Sequence, residues 1–380
     1  MIQFLSKYLG LLLWFPVLLN AQSEAPFTFE KEGQTMELSA AMQRAKVNGI
    51  SVALFRHGEL DTLMQWGTKD AAQTKTVNAQ TLFQAGSLTN ALTKYLVVRL
   101  VEMGKIEFQS PVNNYLQSWQ IPEKSFTKKQ PVTVEDLLLQ RRGFPTVSKP
   151  TGYQSGNNMP NLLQILNGDA PSQELAAIPR KHKNRGGNLS FLPNLVLQQL
   201  IEDVYQAPFA EVVQREIFDP LDMQDSYIAA ELSADQKANA SVGYTKDGKL
   251  IVGERWIYPE LGAAGLWTTP LDYGKFVTHV QRAAAGLDNR FLSVELAQMG
   301  LSAQKAKDYR THIFLVNKFG DPYWGGASMG FRTQFTTAKD GSWTVVAFMN
   351  AHEQWIFMAE LMGQLIPFTR HRNRVELAAN

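Results

Sequence analysis

The chain has 380 residues, 44% of them hydrophobic, and a formal net charge of +2. That is enough for a sizeable core, and too balanced a charge for general binding to nucleic acid or a membrane surface. Cysteine is absent, which excludes disulfides, thiolate catalysis, cysteine metal sites and a lipid attached to an N-terminal cysteine.

Residues 1–21 read as a signal peptide. Lys7 supplies a positive start, Tyr8 to Leu19 an apolar stretch, and Leu19-Asn20-Ala21 a small-residue cleavage site. The stretch falls short of the roughly 20 residues that span a bilayer, so a periplasmic or secreted protein without a stable membrane anchor is expected. A single domain then occupies 22–380, ending in a disordered basic tail at 367–380 around Arg370-His371-Arg372-Asn373-Arg374.

Met36, Leu38, Met42 and Ala45 have helical spacing over 36–47. Ile50 to Phe55 and Leu60 to Trp66 form a hairpin about Arg56-His57-Gly58-Glu59. Ser87 to Met103 predicts a helix with a broad buried face, closed by Gly104. Residues 105–180 are irregular, with short helices at Val134 to Leu139 and Asn161 to Leu166. Pro193 to Tyr205 and Pro208 to Phe218 each start with proline in the first turn. A helix near Leu271 to Ala284 follows Gly265-Leu266-Trp267-Thr268-Thr269-Pro270. Three alternating apolar runs between Thr311 and Asn350, split at Gly320-Asp321-Pro322 and Lys339-Asp340-Gly341, predict antiparallel strands. A closing helix covers Glu353 to Leu365. The hairpin and the late strands can share one sheet, so the sheet-containing part is about 36–85 and 285–366 and the helical part about 105–284.

Ser87, in Phe83-Gln84-Ala85-Gly86-Ser87-Leu88-Thr89-Asn90, is presented where a turn feeds a long helix. It reads either as an N-cap or as a nucleophile, and a nucleophile needs a base within reach. One turn on stands Asn90, which can bond backbone or orient a ligand but cannot take a proton. Lys94 shares the face of Ser87 but lies about 10.5 Å further along the axis. His352, after the last strand, is a second candidate base, with a surface-loop role as the alternative.

The order of these landmarks resembles the serine hydrolases of the beta-lactamase and penicillin-binding-protein superfamily, in the branch with class C beta-lactamases, D-alanyl-D-alanine carboxypeptidases and related esterases. The matching stretches run from Thr81 to Ser87, through Leu137-Leu138-Leu139 with Gly143-Phe144-Pro145, Val196 to Val204, Asp219-Pro220-Leu221-Asp222-Met223 and Tyr258 to Pro270, to Gly325-Gly326-Ala327 with Gly330-Phe331-Arg332. The resemblance implies an α/β plus all-α fold: an antiparallel sheet flanked by helices, with an adjoining helical region. It also implies three motifs around one cleft. The first, Ser-x-x-Lys, is here Ser87-Leu88-Thr89-Asn90. The second, Tyr-x-Asn or a variant, falls on Leu189-Ser190-Phe191. The third, Lys/His-Thr/Gly-Gly, falls on Trp324-Gly325-Gly326-Ala327, and the His-Thr-Ser-Gly loop on Gln140-Arg141-Arg142-Gly143. Side chains that move protons are replaced, whereas the oxyanion-hole backbone of Ser87 and Ala327 is kept.

Leu189, Phe191 and Trp324, with Asn90, Gly325 and Gly326, are therefore expected to line the cleft, either filling it as core or walling an apolar pocket. Arg141 and Arg142, and the run Arg180-Lys181-His182-Lys183-Asn184-Arg185, read as solvated loops or as an anion-binding rim. No metal-ligand spacing and no phosphate-cradling loop is present, so no metal or cofactor is expected. The expected function is a catalytically impaired relative that binds a peptide-like, acyl or cell-wall-derived ligand, or a protein partner, and no nucleic acid. The competing readings are an active esterase, amidase or peptidase acylated at Ser87 with a relocated base, and a structural protein with a filled cleft.

Overall fold

The computed structural model describes residues 27–377 apart from 32, 142, 146–149, 157, 181–189 and 304–309. The signal-peptide segment, Leu189, Arg142 and the basic run from Lys181 to Arg185 thus lie outside the described residues.

The chain opens with a hairpin, β1 (Thr28–Lys31) and β2 (Gln34–Glu37), then α1 (Leu38–Ala45), β3 (Gly49–Arg56), β4 (Glu59–Gly67) and the short β5 (Phe83–Gln84). A 3-10 turn at Gly86–Leu88 leads into α2 (Thr89–Glu102), followed by α3 (Ser125–Lys129), α4 (Val134–Leu138), α5 (Leu162–Asn167), α6 (Leu192–Tyr205) and α7 (Phe209–Val213). Next come β6 (Tyr227–Ile228), α8 (Ala234–Asn239), α9 (Leu261–Ala264), β7 (Leu266–Thr268), α10 (Pro270–Ala284) and α11 (Val294–Leu301). The chain closes with β8 (Leu315–Val316), β9 (Pro322–Ser328), β10 (Phe331–Thr337), β11 (Trp343–Met349) and α12 (Trp355–Leu377).

Six strands form one antiparallel sheet in the order β4-β3-β11-β10-β9-β8. β11 is buried along its whole length and β3 up to Phe55, because both faces of the sheet are covered. On one face Ile50, Val52, Leu54, Val345, Ala347 and Met349 meet α1 and α12 through Leu38, Met42, Phe357, Met358, Leu361 and Leu365. On the other, Phe331, Phe335, Val346 and Phe348 join Phe83, Tyr273 and Phe276 in the larger core shared with the helical region. α2 and α6 run through that larger core and are buried nearly all round, as a helix without an aqueous face must be.

Three details depart from the sequence reading. Residues 36 and 37 pair with 29 and 28 as strand before the first helix begins, an alternation too short to see beside the helical pattern that follows. β8 adds a fourth late strand of two residues. The closing helix continues to Leu377, through the segment expected to be a disordered tail. Past Pro367 nothing breaks the run, and arginine, leucine and glutamate are good helix formers.

Candidate functional site

The turn that carries Ser87 is held from several sides. The Ala85 amide donates to Leu266 O on β7 at 2.9 Å. Gly86 has φ +55°, and a Cβ there would lie 2.7–2.8 Å from the backbone of Ala327, so only glycine lets β9 approach the turn. Thr89 Oγ1 donates to Gly86 O at 2.7 Å and accepts from Leu266 N at 3.2 Å. Tyr273 Oη donates to Leu88 O at 3.2 Å. Ser87 itself is half-buried. Its amide belongs to the first helical turn, whose N–H groups have no intrahelical acceptor.

The Ser87 hydroxyl has no hydrogen-bond partner among the described residues. Asn90 is buried and turns its Nδ2 to the Ser87 carbonyl at 2.9 Å, leaving Oδ1 unbonded. Lys94 is 1% exposed, and its Nζ lies 5.1 Å from the centroid of the Trp324 ring. The lysine Nζ thus lies over the indole, and among the described residues no hydrogen bond joins it to the Ser87 hydroxyl. His352 Nδ1 faces Ser328 O at 3.2 Å and Nε2 faces Glu353 at 3.6 Å, so it is engaged at the far end of β9.

Trp324 and Phe191 are 5% and 3% exposed and belong to the larger core. Of the expected wall, these described members are packed interior. Gly325 and Gly326 keep their place on β9. A Cβ on Gly326 would sit 2.0 Å from Ala85 O, whereas one on Gly325 would make only ordinary contacts, with Thr333 O at 3.8 Å and the Trp355 ring at 3.9 Å. Ala327 lies opposite Arg332 in the β9–β10 register, with Ser328 and Phe331 closing the hairpin around Met329-Gly330.

The loop after α4 ties the helical region to this site. Gln140 accepts from Ser190 N at 3.1 Å, and Ser190 Oγ accepts from Leu192 N, at the first residue of α6, at 3.3 Å. Arg141 pairs with Glu135 at 2.6 Å, so its charge is directed inward to a carboxylate. Glu135 also accepts from Gln109 at 2.9 Å and faces His312 Nε2 at 3.2 Å. Burial pushes the Glu135 carboxyl up, but Gln109, Arg141 and His312 together hold it below the usual range. Burial drives the His312 imidazole down. A neutral ring facing an acceptor-only carboxylate is assigned as the Nε2–H tautomer.

Three polar groups near the cleft were not anticipated as part of the site. Tyr258 Oη accepts from Met329 N at 2.8 Å, beside the end of β9, and burial raises its phenol. Glu260 caps α9, which packs on α2, α6 and the Ser87 turn. It is fully buried, neither carboxylate oxygen has a partner among the described residues, and burial pushes its carboxyl up to about 8, with Glu174 adding to the rise. Asn194 on α6, also fully buried, leaves both amide atoms unbonded. Glu260 falls within the matching stretch Tyr258 to Pro270, but a lone glutamate or asparagine gives no periodic signal, so nothing in the sequence marked either as a buried polar group of the site.

The Beta-lactamase family profile matches residues 37–357. The chain belongs to the beta-lactamase family. This family member is 27% identical over 296 residues to the teichoic acid D-alanine hydrolase of Staphylococcus aureus (strain NCTC 8325 / PS 47), covering 77% of the chain and 65% of that relative. Against the protein of that description from strain MRSA252 it is 27% identical over 255 residues, 66% of the chain and 59% of the relative. The chain thus spans less than two thirds of the length of these relatives. The fold is similar to FmtA from Staphylococcus aureus (TM-score 0.65, 23% identity, 86% of this chain and 87% of that one). It is also similar to the D-amino acid amidase of Ochrobactrum anthropi SV3 (TM-score 0.67, 18% identity, 90% and 97%). The D-alanine carboxypeptidase AmpC of Burkholderia cenocepacia gives a TM-score of 0.65 at 16% identity (87% and 96%). These structures establish the beta-lactamase/transpeptidase-like fold. Among the described residues no helix is long and apolar enough to cross a membrane, and no His, Cys, Asp or Glu cluster is arranged to hold a metal ion.

Proposed function

We propose that this family member is an exported, severely impaired hydrolase whose remodelled cleft binds an acylated or peptide-like ligand derived from the cell envelope. The observation that carries the reading is the unpartnered Ser87 hydroxyl, with Asn90 bonded to the Ser87 carbonyl and Lys94 drawn to Trp324. Serine is a weak nucleophile without an adjacent base, and backbone donors alone leave roughly 10³–10⁴-fold catalysis over water. Ligand class is argued from the relatives, whose descriptions are a teichoic acid D-alanine hydrolase, a D-alanine carboxypeptidase and a D-amino acid amidase. A D-alanyl ester or amide, its carbonyl oxygen directed at the Ser87 and Ala327 amides, is the ligand that best suits this cleft.

The test is activity-based labelling of purified protein with a fluorophosphonate and a penicillin probe, beside a calorimetric titration with N-acetyl-D-alanine. Negligible labelling together with saturable binding is expected. Stoichiometric labelling that disappears in Ser87→Ala would overturn the impaired reading in favour of an active hydrolase. No labelling and no binding would favour the structural role with a filled cleft.

A further inference from the structure

Along β9, β8 reaches only Pro322 and Tyr323, so from Trp324 onward no strand among the described residues neighbours the outer edge of β9. Ser328 and Phe331 close a two-residue hairpin and form its hydrogen-bonded pair, and pairs alternate along an antiparallel ladder. Ala327 opposite Arg332 is therefore a non-hydrogen-bonded pair, and its N–H points away from β10, toward Gly86 and Ser87. The carbonyl of the same peptide unit, Gly326 O, points the other way, into the sheet.

Arg332 stands on that far side. Phe331, Thr333 and Phe335 face the larger core, and Thr333 Oγ1 donates to Ala85 O at 2.8 Å. By strand alternation Arg332 faces α12, where its guanidinium lies against the Trp355 ring. It is 1% exposed, and Nη1 donates to Gly326 O at 3.3 Å. Burial pushes the guanidinium down to about 9 against the opposing pull of Glu353, so it still carries its charge at neutral pH. Burying an arginine costs several kcal/mol unless its charge is used.

We infer that Arg332 is a positioning residue that polarises and fixes the Gly326–Ala327 peptide from behind the sheet, so that the Ala327 N–H is a stronger donor to a carbonyl or carboxylate oxygen bound at Ser87. A cation on the carbonyl draws electron density through the amide and strengthens the hydrogen bond its N–H can give. Trp355 serves the same end by shielding the guanidinium from water. The inference rests on the proposed ligand-binding reading only for the identity of the ligand; the polarised peptide is a property of the protein alone.

The experiment reads both. The Ala327 amide proton is followed by two-dimensional NMR in the wild type, Arg332→Lys, Arg332→Met and Trp355→Ala, and each is titrated with N-acetyl-D-alanine. Arg332→Met is expected to move the Ala327 resonance upfield and weaken binding about tenfold, with Arg332→Lys recovering part of both. An unmoved Ala327 resonance in Arg332→Met, or a lysine variant no closer to wild type than the methionine one, overturns the inference. If Arg332→Met does not fold, Trp355→Ala and Arg332→Lys decide it: both must displace the Ala327 resonance in the same direction, and no displacement in either overturns it. A wild type that binds no N-acetyl-D-alanine, while Ala327 responds to Arg332, removes the ligand reading and leaves the positioning role standing.

Discussion

Ser87 and Asn90 together state the chemical problem of this protein in two side chains. General-base assistance is worth roughly 10²–10⁴-fold, and Asn90 occupies the helical position from which a base would act. Asn90→Lys is therefore expected to raise the fluorophosphonate labelling rate of Ser87 by about 10²-fold. An unchanged rate would mean that the positions of Leu189 and Trp324 also hold the serine silent. Glu260 poses a second question at this scale. Its folded carboxyl titrates at about 8 against an ordinary value of 4.5, raised first by burial and then by Glu174. Between those values the native state holds a proton that the unfolded chain has released. Stability on this account is full below about pH 4.5 and falls by a few kcal/mol as pH rises through 8. Glu260→Gln should flatten that slope and raise the melting temperature at pH 8; a slope unchanged by the substitution would show the carboxyl to be ionised in the fold.

At the scale of elements, the site is a contact between one strand and one turn. β9 reaches the Ser87 turn because two glycines, Gly86 and Gly326, leave no Cβ between the backbones. Gly326→Ala drives a methyl into Ala85 O and should cost about 3 kcal/mol, the upper end of ordinary overpacking. Gly325→Ala, one residue away, adds only van der Waals contacts with Thr333 O and Trp355 and should stay within about 0.5 kcal/mol of wild type. Urea denaturation of the pair measures the difference directly, and equal midpoints would contradict the close approach. This neighbouring pair also shows what the sequence could reveal. Gly325-Gly326 stood out as a motif, but which glycine bears the packing depends on which face of β9 meets the turn.

Across the whole molecule, the two cores are separated by the sheet, and the helical region is joined to it partly through a buried polar group. Glu135 gathers Arg141 from the loop after its own helix, Gln109 from 26 residues before and His312 from 177 residues after. Glu135→Ala would remove the carboxylate that Arg141, Gln109 and His312 share, and losing one side of such a pair costs up to about 3 kcal/mol where the partner is partly exposed. A fall in melting temperature of several degrees, larger than that of Gln109→Ala, is the expected result. The arrangement also alters the reading of Arg141. As part of a bare run of basic residues it suggested an anion rim; in the fold its charge is already met by Glu135.

The sequence alone carried the resemblance to the family, through the order of its matching stretches, and gave the order of the main elements, because hydrophobic period and glycine placement are local signals carried by the chain itself. It also determined that Ser87 has no lysine one turn away. Only the tertiary structure decided that Lys94 turns to Trp324, that Trp324 and Phe191 are core, and that Glu260 and Arg332 are buried beside the site. Those outcomes depend on which surfaces meet when remote segments pack, and a single polar side chain leaves no pattern in the sequence that says what will close over it.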